Sequence, residues 1–132
     1  MIKRLTLLSL TAAGLLYASL FGEAMRAYKS GKYTEAKALF EEALEEDGAE
    51  QARFFLGLMY LKGQGTKKDL VQAKSFLEKA SHNGNVRATC YLAETYLLLK
   101  KESKKARQLL KSGADAGASE CRTIAEHYKI SL

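Results

Sequence analysis

Four tyrosines and three alanines recur at one interval along this chain. Tyr28, Tyr60, Tyr96 and Tyr128 are spaced by 32, 36 and 32 residues, and Ala36, Ala73 and Ala106 by 37 and 33. A period in this range constrains a fold more than any single segment does. Each period is one supersecondary unit that cannot bury its own apolar face, so neighbours have to stack. The content of the period is helical. From Ala52 to Gly84, Phe55, Leu56, Met59 and Tyr60 recur at helical spacing, followed by Leu70, Ala73, Phe76, Leu77 and Ala80. Gly63 and Gly65 punctuate the two helices, Asp69 reads as an N-cap, and Gln72 stands where it closes a capping box. Gly57 and Ala73 are small, as two closely packed helices require. The chain has no proline, which suits uninterrupted helices.

This unit, with Ala52, Leu56-Gly57, Met59-Tyr60, Gly63-x-Gly65, Asp69, Ala73, Lys79-Ala80 and Gly84, resembles the Sel-one-like repeat (SLR), a relative of the tetratricopeptide repeat. The resemblance implies an all-α fold, a right-handed α-α superhelix of about seven antiparallel helices. Residues 23–48 form a first unit with a shorter, tetratricopeptide-like turn; Tyr28, Gly31, Tyr33, Ala36, Phe40 and Ala43 carry it. Residues 49–84 form the second unit and residues 85–117 the third. The third turn, Lys100-Lys101-Glu102-Ser103, lacks glycine, and Ser103 is its expected N-cap. Residues 118–132 repeat only the first helix and cap the stack.

Residues 1–22 follow another plan. Lys3 and Arg4 precede an apolar run from Leu5 with small residues, the layout of a secretory signal peptide. Cleavage is expected after Gly22, leaving Glu23 first, with cleavage after Ala18 as the alternative. The apolar run is short for a membrane span, and an uncleaved anchor is the other reading. The expected location is therefore periplasmic or secreted, in a bacterium, with membrane contact only through this segment.

Catalytic signals are sparse. No HExxH or GxSxG occurs, and Gly63-Gln64-Gly65 has neither a preceding strand nor a third glycine to make a nucleotide loop. Lys29-Ser30-Gly31 and Lys111-Ser112-Gly113 match one element of serine β-lactamases, but no Ser-x-x-Lys supplies a nucleophile; both read as helix-end punctuation. His82 and His127 have no partner at metal-ligand spacing, so no metal and no cofactor is expected. The net charge of +6 is uneven: residues 23–50 hold eight acidic and four basic side chains, whereas residues 51–132 hold fifteen basic and seven acidic. Lys100, Lys101, Lys104, Lys105, Arg107 and Lys111 cluster around the third turn. Without interleaved aromatics they do not read as a nucleic-acid site.

The cysteine-rich SLR proteins of bacteria staple each hairpin with a disulfide. Ser81 and Ala88 stand near the positions of that pair, so the staple is absent here. Cys90 and Cys121 fall on first helices of neighbouring units. An oxidising compartment permits a bond between them, and Cα separation decides it.

The resemblance also implies a function. Stacked hairpins leave a concave surface of first helices on which related repeats hold peptides or protein partners. Aligning Gly57, Ala93 and Ala125 in tetratricopeptide-like register puts Phe54, Leu58 and Leu61 on that surface, followed by Arg87, Cys90, Glu94 and Leu97, then Arg122. The expected site is an apolar patch edged by Arg87 and Arg122, suited to an extended peptide carrying a carboxylate. The leading reading is a non-catalytic, exported interaction module. Two alternatives stand beside it: a penicillin-binding or β-lactamase-like protein, and a binder of cell-wall glycan or anionic lipid.

Overall fold

The computed structural model describes residues 19–132, and the expected signal segment lies almost wholly outside them. The described chain folds into seven antiparallel helices: α1 (Leu20–Lys29), α2 (Tyr33–Asp47), α3 (Ala52–Lys62), α4 (Leu70–His82), α5 (Val86–Leu98), α6 (Ser103–Asp115) and α7 (Ser119–His127). No strand occurs among the described residues. Each helix packs on the next, and α3, α5 and α7 also pack in succession. This is a helical-repeat solenoid of three hairpins closed by a single helix.

The folded body begins earlier than the boundary at Gly22 expected from the sequence. Ser19 caps α1, its Oγ accepting from Gly22 N at 3.0 Å. Phe21 packs its ring against Phe40 and Phe55, with centroids 5.7 and 5.9 Å away. The apolar run therefore ends in residues that belong to the core, which hydrophobicity alone cannot separate from a leader.

The turns follow local chemistry. Asp69 Oδ1 accepts from Val71 N and Gln72 N, both at 3.1 Å, as an N-cap does. The capping box is not closed by Gln72, because Asp69 N already donates to Tyr60 O across the turn. Gly65 has no room for a side chain: a Cβ would meet the Tyr33 carbonyl at 2.5 Å, so the second turn rests directly on the first. Ser103 is not the cap of α6 but its first residue. The cap position is Glu102, at φ 53° with no side-chain cap bond, and Lys100 is also left-handed at φ 55°.

Two apolar clusters meet at α3. Ala52, Leu56 and Met59 join α1 and α2, whereas Phe54, Leu58 and Leu61 join α4, α5 and the units beyond. The recurring tyrosines fill the seams between hairpins. Tyr28 Oη donates to Gln64 at 2.8 Å, Tyr96 Oη to Glu78 at 2.9 Å and Tyr128 Oη to Glu94 at 3.3 Å. The fourth, Tyr60, stacks on Phe76.

Cys90 and Cys121 form a disulfide between α5 and α7, with Cα atoms 4.7 Å apart. Gly113 of α6 makes the approach possible. A Cβ there would overlap Cys121 Sγ and lie 3.2 Å from Cys90 Sγ. Lys111-Ser112-Gly113 is thus interior to α6 rather than helix-end punctuation, and its glycine is the seat of the disulfide. Lys29-Ser30-Gly31 does end α1, with Gly31 at φ 76°. Where the cysteine-rich relatives would carry a staple, Ser81 instead meets Thr89, Oγ to Oγ1 at 2.6 Å.

Candidate binding cleft

The apolar patch expected on the first helices is not on the surface. Phe54, Leu58 and Leu61 are at most 5% exposed and belong to the core, as does Cys90 in its disulfide. Leu97 is half-buried against the same cluster. Helix α3 explains the misplacement. Its apolar residues point nearly all round the axis because it packs on hairpins on both sides, so periodicity does not single out one open stripe.

The two arginines are exposed but engaged. Arg87 Nε donates to Glu120 at 2.6 Å, and its guanidinium covers the Phe54 ring 5.0 Å from the centroid. It acts as a lid on Phe54 rather than a free receptor for a carboxylate. Arg122 Nη2 donates to Ala114 O at 3.0 Å, tying α7 to the end of α6. Of the expected site residues, only Glu94 lines the open cleft, and Arg87 reaches its edge through Glu120.

That cleft has a volume of about 410 Å³ and is lined from three successive first helices: Lys62 of α3, Tyr91 and Glu94 of α5, and Glu120, Thr123 and His127 of α7 among them. Tyr91 is half-buried at its centre. Phe54 supports its ring at 6.0 Å and Lys62 Nζ lies 5.4 Å above it. On α5 and α7 the lining lies one residue along from the expected stripe, with Tyr91 and Thr123 replacing Cys90 and Arg122. These two keep the spacing of Tyr96 and Tyr128, so the interval that defines the repeat also carries the cleft from α5 to α7.

The electrostatics are mixed. Glu120 is held below the usual carboxylate range, first by a hydrogen bond from its own backbone N–H and then by Arg87. Burial raises the Tyr91 phenol against the opposing influence of Arg87, and burial with the nearby Glu94 raises Tyr128. The cleft therefore sets the Tyr91 phenol, kept uncharged by burial, among Lys62, Glu94 and Glu120. No group of three or more His, Cys, Asp or Glu side chains suited to a metal occurs among the described residues.

An aromatic floor with flanking hydroxyls and charges of both signs can hold an extended polypeptide, and a stack of hairpins offers such a floor along its length. The Sel1 repeat family model matches residues 50–85 and 86–117, the second and third hairpins, just over half of the chain. No curated protein matches the chain significantly. With helices, turns and family match in agreement over the same two hairpins, the chain belongs to the Sel1 repeat family, whose members are generally non-catalytic modules that bind other proteins.

Proposed function

We propose that this protein is an exported bacterial adaptor that holds an extended segment of a partner protein in the cleft between α3, α5 and α7. The observation that carries the reading is the continuity of that cleft over three successive first helices, with Tyr91 at its centre. The partner segment it suits has changed from that expected on the sequence. Arg87 is occupied by Glu120, whereas Glu94 receives only the long bond from Tyr128. A peptide with a cationic side chain beside Glu94 and a flat or aliphatic one on Tyr91 fits these charges.

Two observations support export. A fully buried disulfide suits an oxidising compartment. Ser19 caps α1, so cleavage after Ala18 would release the folded body with its cap and with Phe21 in place, whereas cleavage after Gly22 would remove both. The mature protein accordingly starts at Ser19, and an intact mass starting at Glu23, or the uncleaved mass, refutes this.

The cleft is tested by introducing a photoreactive residue at Thr123, exposed at its edge, and cross-linking in a periplasmic extract. A partner captured from Thr123 should be lost in Glu94→Lys and reduced in Tyr91→Ala, both checked for an unchanged melting transition. Full capture by folded Glu94→Lys would move the binding surface elsewhere.

A further inference from the structure

The up-and-down topology places the three turns within hairpins on one edge of the solenoid and the turns between hairpins on the other. Contacts along the first edge support this. Tyr28 at the end of α1 reaches Gln64 in the second turn, which rests on Tyr33. Tyr96, near the end of α5, lies between Lys74 and Lys105, near the starts of α4 and α6. The two edges differ in charge. On the edge between hairpins, Glu50 pairs with Arg53 and Asp115 with Lys111. On the other edge, the turns and the helix starts beside them carry Lys32, then Lys67 and Lys68, then Lys100, Lys101 and Lys104, which outnumber Glu35, Asp69 and Glu102 there. All six are exposed, and none forms an ion pair among the described residues.

Three features of this edge point to one kind of partner. The unpaired cations of its turns are lysines without arginine, which suits diffuse attraction rather than forked recognition of single anions. They extend across three hairpins, roughly 20 Å at the usual 8–10 Å between helix axes, which matches a surface rather than one side chain. Val71, in the first turn of α4 three residues after Lys68, is 72% exposed, an apolar side chain beside the lysines and the Asp69 cap. Lys100 adds a fourth observation. It holds a left-handed conformation, for which the preceding unit uses Gly63 and Gly65, so a lysine is kept there against backbone preference.

We propose that this edge seats on an anionic lipid surface, the lysines facing the headgroups and Val71 entering the interface. Basic residues around an exposed apolar side chain are the elements of interfacial attachment. No helix among the described residues is long and apolar enough to cross a membrane, so the contact is peripheral. It is separate from the signal segment, and it gives the anionic-lipid alternative raised from the sequence a defined edge of the fold. The α1 N-terminus lies at the opposite edge, and the cleft between first helices is left open.

The test uses the full chain with phosphatidylcholine vesicles, with and without phosphatidylglycerol. Retention should depend on phosphatidylglycerol and fall as salt rises. Lys101→Gln and Lys104→Gln should each weaken it about fivefold. Lys100→Gly should weaken retention while raising the melting temperature, a combination that misfolding cannot produce. A polarity-sensitive dye on Val71→Cys reports this edge alone and should shift to the blue only on vesicles with phosphatidylglycerol. Equal retention on both vesicles, wild-type retention by the lysine variants, or a dye that does not shift overturns the proposal. Lysine-dependent binding to heparin without the dye shift on vesicles would assign the edge to a soluble polyanion instead.

Discussion

Gly113→Ala is a one-carbon change whose sign depends on a covalent bond elsewhere. In the oxidised protein the new Cβ would overlap Cys121 Sγ and lie 3.2 Å from Cys90 Sγ. Neither sulfur can turn away, because each is bonded to the other and both are fully buried between α5, α6 and α7. Direct overlap with a sulfur that cannot move belongs in the upper part of the overpacking range, about 2–3 kcal/mol. Replacing a mid-helix glycine by alanine returns about 1 kcal/mol of helix propensity. The net expectation is a loss of about 1–2 kcal/mol, or about 5–10 °C in melting temperature. Removing both sulfurs by Cys90→Ala and Cys121→Ala reverses the balance, since the next neighbour, Cys121 Cβ, lies at 3.5 Å, an ordinary contact. In that background Gly113→Ala should stabilise by up to about 1 kcal/mol. Urea melts of the four proteins close a double-mutant cycle with a coupling of about 2 kcal/mol. A neutral or stabilising Gly113→Ala in the disulfide-bonded protein would refute the packing argument.

Other measurements examine the remaining parts of the structure. Reducing the disulfide, whose cysteines are 31 residues apart, should lower stability by about 3–4 kcal/mol in denaturant melts with and without a dithiol reductant. Leu58→Ser, at a position the sequence places on the binding surface, should cost about 3–5 kcal/mol, because it empties a core site and buries a hydroxyl; a melt within error of wild type would restore the surface assignment. Glu120, whose carboxyl is held below its usual range in the folded state, contributes stability above the unfolded carboxylate pKa that is lost as pH falls through the folded value. Glu120→Gln should therefore flatten the acid limb of the melting temperature against pH.

Much of the architecture was legible in the sequence because a solenoid writes its packing into a repeating interval. The tyrosines and alanines marked the hairpins, and Asp69 marked a helix start by its own chemistry. What was misread has physical causes. The groove was placed on Phe54, Leu58 and Leu61 because α3 is apolar around most of its circumference, and only contacts with both neighbouring hairpins fix its rotation. The tilt of one residue that brings Tyr91 into the cleft is visible only once those contacts are known. The third turn misled because the expected cap rested on a favourable residue, Ser103, whereas the chain holds Lys100 and Glu102 left-handed instead. Whether Cys90 and Cys121 pair could not follow from helix spacing alone. Gly113, two helices' worth of sequence away from Cys90, decides it.

The disulfide gives the two ends of the stack unequal freedom. At the C-terminal end α7 is tethered to α5, so it cannot fray without carrying its neighbour. At the N-terminal end no disulfide ties α1 and α2 to the stack, and they rest on α3, Phe76 and the second turn through non-covalent contacts. In a structure whose cohesion is summed from nearest-neighbour contacts, opening then has a direction. The first hairpin is the unit that should exchange its amide hydrogens soonest and detach as one piece, uncovering Leu56 and Met59 while the cleft around Tyr91 stays intact. A partner held in that cleft would remain bound to a molecule whose far end is already breathing.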